Sequence, residues 1–144
     1  MIVSSTKKFR DALRQLYKKP KHNYISCKVD ICNELDGKDV TTLTKSNVQL
    51  LKNETRYALK IRVAHSSLKL SKSNGFRLIA FADTQTDEIC LLYVYPKRGP
   101  LQTLDIGDNF LVSLLQEYEE ERGANTLVKM DIHNELTEIE PSDQ

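Results

Sequence analysis

Nine of the 21 Lys and Arg residues fall between positions 52 and 98: Lys52, Arg56, Lys60, Arg62, Lys69, Lys72, Arg77, Lys97 and Arg98. Four acids share that stretch, Glu54, Asp83, Asp87 and Glu88, so it carries a surplus of five positive charges in a chain of net charge +1. Two tyrosines, Tyr93 and Tyr95, follow on one side of an alternating run. Cations with interleaved aromatics suit a polyanion whose bases can stack on the rings. The same residue types can cut RNA without a metal. That reaction needs a base for the 2′-hydroxyl proton, cations against the charge growing on the phosphate, and an acid for the leaving 5′-oxygen. A lysine serves as the base where neighbouring cations or desolvation lower its pKa. The signatures of other chemistries are missing: no Walker-type glycine loop, no HExxH, no G-x-S-x-G and no carboxylates paired within a common element at the spacing glycosidase-like chemistry needs.

Three short alternating runs must position these residues, at 58–65, 76–82 and 89–95, separated by polar turns and read as consecutive antiparallel strands. In the first, Leu59, Ile61 and Val63 alternate with Lys60, Arg62 and Ala64, so one face is core and the other carries charge. Upstream, residues 1–4 suit a brief strand, and Ser5 or Thr6 can cap a helix through Lys18 whose buried stripe is Phe9, Leu13, Leu16 and Tyr17. Pro20 stops it. A second helix spans 24–35, with Tyr24, Ile25, Cys27, Val29, Ile31, Cys32 and Leu35 spread over a wide face, and Asp36-Gly37 ends it. Residues 40–47 form a connection of undetermined structure, and 48–51 a short strand before the Asn53-Glu54 turn.

Pro96 closes the last strand, Gly99-Pro100 prolongs the break, and Asp108 or Asn109 caps a helix through Glu121 with Phe110, Leu111, Leu114, Leu115 and Tyr118 on one side. Gly123-Ala124-Asn125 reads as a hinge. Beyond it, residues 126–144 carry five acids and one lysine, and fit either a strand (Val128, Met130, Ile132) or a helix (Val128, Ile132, Leu136, Ile139). The closing Pro-Ser-Asp-Gln is expected to fray. The expected fold is α+β: a small twisted antiparallel sheet, two N-terminal helices on one face and a further helix behind the last strand. Residues 1–123 form the domain and 124–144 an acidic extension.

A chain of 144 residues can bury one core without staples. Cys27, Cys32 and Cys90 are odd in number and lack CxxC spacing, which predicts buried free thiols and a reducing cytoplasm. His22, His65 and His133 form no zinc-ligand spacing with them, and no apolar run reaches the ~20 residues of a membrane span. A cytoplasmic location and no membrane partner are expected.

The order of features from 60 to 98 also carries a resemblance. Lys60-Ile61-Arg62, then 64–67, the Lys/Ser loop 69–73, Asn74-Gly75-Phe76-Arg77-Leu78-Ile79, an acidic turn and the run LLYVYPKR at 91–98 resemble the RelE/HigB toxins of bacterial type II toxin–antitoxin systems, within the RelE/ParE superfamily. The resemblance covers residues 1–122 and rests on order and spacing. It implies an endoribonuclease that cuts mRNA, in the ribosomal A site, by 2′-hydroxyl transesterification, with no metal or cofactor. It implies Arg77 at the scissile phosphate, Lys97 and Arg98 as the basic pair at the site's edge, Lys72 in the preceding loop and Tyr95 as the remaining catalytic candidate. Lys60, Arg62, Lys69 and Tyr93 would bind RNA, and His65 would be structural. The implied partner is a helix-turn-helix antitoxin whose acidic, partly disordered segment covers the basic face. Many relatives carry a Gly-Lys-Ser-Gly-Gly type loop where this chain has Ser71-Lys72-Ser73-Asn74-Gly75. Two alternatives stand beside this reading: a ParE-like toxin that binds DNA gyrase, and a relative that binds RNA or protein without cutting.

Overall fold

The alternating runs pair into a sheet wider than the three-run pattern requires. A computed structural model describes residues 1–18, 24–98 and 106–140. Pro20, His22, Gly99, Pro100 and residues 141–144 lie outside the described residues. In chain order the elements are β1 (Ile2–Ser5), α1 (Lys7–Tyr17), α2 (Cys27–Leu35), α3 (Val40–Ser46), β2 (Val48–Asn53), β3 (Arg56–Val63), β4 (Phe76–Asp83), β5 (Glu88–Pro96), α4 (Asp108–Ala124), β6 (Val128–Asp131) and β7 (Thr137–Glu138). The strands form one seven-stranded sheet in the order β2-β3-β4-β5-β1-β6-β7. All neighbours are antiparallel except β1 and β5, which run parallel from Ile2 opposite Glu88 to Ser5 opposite Leu91. The fold is α+β, with a mostly antiparallel sheet and four α-helices among the described residues.

Both faces of the sheet are covered. On one, Leu59, Ile61, Val63, Phe76, Leu78 and Val94 meet Phe9, Leu13 and Leu16 of α1, Ile31 and Leu35 of α2, and Val40 and Leu43 of α3. On the other, Ala58, Ile79, Cys90, Leu92 and Tyr95 meet Leu111 and Leu114 of α4, with Phe110, Leu115 and Tyr118 packed alongside. The pleat of β3 delivers its aliphatics to the first core, as its alternation predicts. On β5 the alternation is interrupted. The register shifts between Ile79 and Ala80, which face Tyr93 and Leu91, so Leu92 is an extra residue and joins the α4 side with Tyr93 and Tyr95.

Local signals account for most boundaries. The Thr6 hydroxyl caps α1 by accepting from the Phe9 N–H at 3.3 Å, and Gly37 (φ 73°) takes the left-handed turn after α2. Tyr17 is not part of the buried stripe. Its hydroxyl donates to the Ile25 carbonyl and accepts from the Lys28 N–H, both at 3.0 Å, tying the end of α1 to the first turn of α2. The Thr-rich connection 40–47 is the helix α3, although β-branched residues are weak helix formers. Asp39 caps it through the Thr42 N–H at 2.8 Å, and burial of Val40 and Leu43 holds it. The cap of α4 is Gly107, not Asp108 or Asn109, and the helix runs through Gly123, with Asn125 (φ 59°) as the left-handed cap where a hinge was expected.

The acidic C-terminal segment continues the sheet as strands. Ser4 and Ser5 of β1 pair with Lys129 and Val128 of β6, and β7 pairs with β6. Met130 and Leu136 are buried in the larger core. Cys27, Cys32 and Cys90 are free thiols and buried, and burial pushes the Cys90 thiol up to about 12. Because Met130 and Leu136 fill the same core as Phe9 and Leu13, Met130→Ala and Leu136→Ala should each lower stability by about 2–5 kcal/mol in urea unfolding. Unchanged midpoints would mean that the C-terminal strands are dispensable to the fold.

Candidate nucleic-acid interface

Strand register collects the cations. Val63, Phe76 and Pro96 lie opposite one another, so the C-terminal ends of β3 and β5 and the start of β4 share one end of the sheet. Arg62, Arg77 and Tyr95 form the next row, and Lys60, Ile79 and Tyr93 the row beyond, on the same face. Lys97 and Arg98 follow β5, and Lys69 and Lys72 lie in the connection from β3 to β4. Seven of the nine cations between 52 and 98 therefore sit at or within three rows of this end. All four acids of that stretch, Glu54, Asp83, Asp87 and Glu88, lie at the opposite end with Lys52 and Arg56. The sheet is polarised along its strands.

Arg62 and Arg77 face each other directly, an arrangement of like charges that ordinarily destabilises a strand pair. Arg62 points its charge to solvent, while Arg77 is 4% exposed and turns inward. One guanidinium nitrogen of Arg77 donates to the carbonyls of Lys72 (2.9 Å) and Phe76 (3.2 Å), and the other to that of Ser73 (2.8 Å). Expected at the scissile phosphate, Arg77 in this conformation is the anchor of the preceding loop.

The loop is fastened along its length. His65 and Leu70 exchange two backbone hydrogen bonds of 3.0 Å, and the Lys97 N–H donates to the Gly75 carbonyl at 3.1 Å. Arg98 donates to the Asn74 side-chain oxygen at 3.1 Å. A Cβ at position 75 would fall 2.0 Å from the Val63 carbonyl oxygen, so only glycine fits there. From below, α2 supplies two carboxylates one turn apart. Asp30, buried, accepts from the Ser66 N–H (2.9 Å) and the Ser26 hydroxyl (2.6 Å), and Ser26 accepts in turn from the Ser67 N–H (3.0 Å). Glu34, also buried, pairs with Lys72 at 2.9 Å and with Lys38 at 2.8 Å. The loop is held by side chains of α2 and its N-terminal cap, of β4 and of the segment after β5.

Charge is what the interface offers, since its aromatics are committed elsewhere. Tyr95 is 2% exposed, and half-buried Tyr93 packs edge-on against Phe110 of α4 at 4.9 Å. The basic face is thus divided. Helix α4 covers the β5 side, while Lys60 is half-buried and Arg62 exposed on the β3 side. Lys69, Lys72 and Arg98 are exposed and Lys97 half-buried. His65 is buried and stacks between Phe76 (4.2 Å) and Tyr24 (5.5 Å), a packing role. Sequence reasoning did not single out Asp30, Glu34 or Asn74. Helix α2 held the one signal that could have found the two acids: its apolar residues are spread too evenly for all of them to face inward. Ile25 and Val29 are exposed, and Asp30 and Glu34 are buried instead.

Among the described residues no group of three or more His, Cys, Asp and Glu could hold a metal ion, and no helix is long and apolar enough to cross a membrane. Comparison with protein families, curated proteins and solved structures returned no match to the chain. Fold and site together define a class only: an α+β protein with a sheet covered on both faces and a fixed cationic end.

Removing Arg77 leaves the Lys72 and Ser73 carbonyls without their charged donor, and hydrogen bonds to charged groups are worth about 1.5–3 kcal/mol each. Arg77→Ala should lower stability by about 2–4 kcal/mol and raise hydrogen exchange at 69–75 well above that of the strands. Arg77→Lys should recover only part, because an ammonium lacks the planar fork that reaches two carbonyls. Unchanged exchange in the loop would remove Arg77 as its anchor.

Proposed function

We propose that the chain is a RelE/HigB-like toxin of a type II toxin–antitoxin module, a metal-independent endoribonuclease acting on mRNA at the ribosome. The observation that carries this reading is the polarised sheet: seven cations gathered toward one end, around a fastened loop, with every acid of the same stretch at the other end. Such a surface attracts a phosphate backbone and fixes its position. In the reaction the 2′-oxygen attacks the adjacent phosphorus, its proton passes to a base, and the P–O5′ bond breaks as the 5′-oxygen takes up a proton. A 2′,3′-cyclic phosphate remains on the upstream fragment. Arg62, Lys60 and Lys69 bind flanking phosphates. Arg98, fixed by Asn74, opposes the charge on the scissile phosphate, and Lys97 beside Gly75 moves the proton. Arg77 holds the loop against which both are set, and contacts the phosphate itself only by leaving its carbonyls. The partner is an antitoxin with an acidic segment that covers this end, and the compartment is the cytoplasm.

A second reading, a relative that binds RNA without cutting it, draws on the burial of Arg77 and Tyr95. Induced expression without the partner should stop growth, and purified protein should cleave mRNA on programmed ribosomes. In single turnover at saturating ribosomes, Arg98→Ala should be slower by on the order of 10²–10³, the usual cost of losing a donor aimed at developing charge. Lys60→Ala should recover as ribosomes are added, since it loses binding alone. Tight binding by the wild type with no cleavage would establish the second reading.

A further inference from the structure

Glu34 is a buried charge that the proposed chemistry leaves unused. Its side chain is 9% exposed, and one carboxylate oxygen accepts both the Lys38 ammonium at 2.8 Å and the Lys72 ammonium at 2.9 Å. The two ammoniums therefore sit no farther apart than those two distances summed, close enough to repel. The two lysines differ in what ties them. Lys38 lies four residues after Glu34, just past the end of the same helix, and its side chain is 31% exposed. Lys72 comes from the loop, and its side chain is 54% exposed. Its main chain is fixed by Arg77 through the Lys72 and Ser73 carbonyls. Its side chain can turn while its backbone stays in place.

We propose that Glu34 and Lys38 form an exchange device that holds Lys72 in reserve and releases it to a polyanion. A buried carboxylate with a single cationic partner would resist losing it, because an unpaired buried charge is costly. With Lys38 in place, Glu34 stays paired when Lys72 leaves, and the repulsion between the ammoniums favours the departure. A phosphate arriving at the cationic end of the sheet offers Lys72 a second anion. Lys38 and Glu34 are thus positioning residues that act through Lys72, and this rests on the polyanion-binding reading above.

The probe is a fluorescein-labelled 2′-O-methyl oligonucleotide, which binds but has no 2′-hydroxyl and cannot be cut, followed by anisotropy across a KCl series. Glu34→Gln keeps the shape of the side chain and frees Lys72. It should bind about threefold tighter at low salt, with a salt slope steeper by about 0.7, the value for one added phosphate contact on a single strand. Lys38→Met should bind about threefold weaker, since Glu34 then keeps Lys72. In a Lys72→Met background both effects should vanish. If they persist there, they reflect bulk charge and the exchange device is wrong. Acetylation of Lys72 without RNA, read by mass spectrometry, is a separate arm: it should rise in Glu34→Gln and fall in Lys38→Met. A wild-type protein that ignores the oligonucleotide would sink the polyanion reading, yet the acetylation arm would still decide whether Glu34 and Lys38 control Lys72. Equal acetylation in all three proteins would overturn the device.

Discussion

The guanidinium of Arg77 holds two parts of the molecule in one arrangement. It is buried at the start of β4, between the cross-strand neighbours Arg62 and Tyr95, and its hydrogen bonds reach carbonyls of the loop that precedes it. A buried cation demands compensation, and the main-chain oxygens of Lys72, Ser73 and Phe76 contribute to it. The loop in turn gains a fixed donor for its carbonyls where a solvated turn would fluctuate. Gly75, Asn74 and the start of the segment after β5 then fall into place around that anchor. The cations at this end sit on a scaffold ordered by the most deeply buried of them.

The polarity of the sheet follows from antiparallel pairing. An antiparallel hairpin places the start of one strand beside the end of the next. Cations late in β3, early in β4 and just after β5 must therefore converge, although they are spread over nearly forty positions in sequence. The acids in the β2–β3 and β4–β5 turns converge at the other end by the same geometry. The field this creates is long-ranged and screened by salt, so the two ends differ most at low ionic strength.

Much of this was legible in the sequence because its causes are local. Alternation set the faces of β3, Thr6 marked the start of α1, and Gly37 the end of α2. What escaped depended on distant partners. The Thr-rich segment of α3 is helical because the core accepts Val40 and Leu43, which propensity cannot show. In the ambiguous run from Val128 on, residues 128–131 became a strand because β1 offers them an edge. The bulge at Leu92 exists only in relation to β4. The composition of the site could be read from residue types, whereas the inward turn of Arg77 could not, since its acceptors are main-chain atoms that no residue name reveals. The inward positions of Asp30 and Glu34 on α2 escaped for a related reason: part of what they accept, the Ser66 N–H and the Lys72 ammonium, comes from the distant loop above.

The placement of β1 has a temporal side. This strand precedes the other described elements in the chain, yet its neighbours are Glu88 through Leu91 on one edge and Val128 and Lys129 on the other. Pairings so distant in sequence close large loops before any contact rewards them, which slows folding. The hairpins from β2 to β5 can form early and nearby, but the sheet is completed only once β6 and β7 have been synthesised. Until then β1 exposes the unpaired edge that β6 will cover. Pairing of β6 is thus a completion signal for this sheet: a chain interrupted before it keeps an open edge on β1, with the aggregation hazard such edges carry.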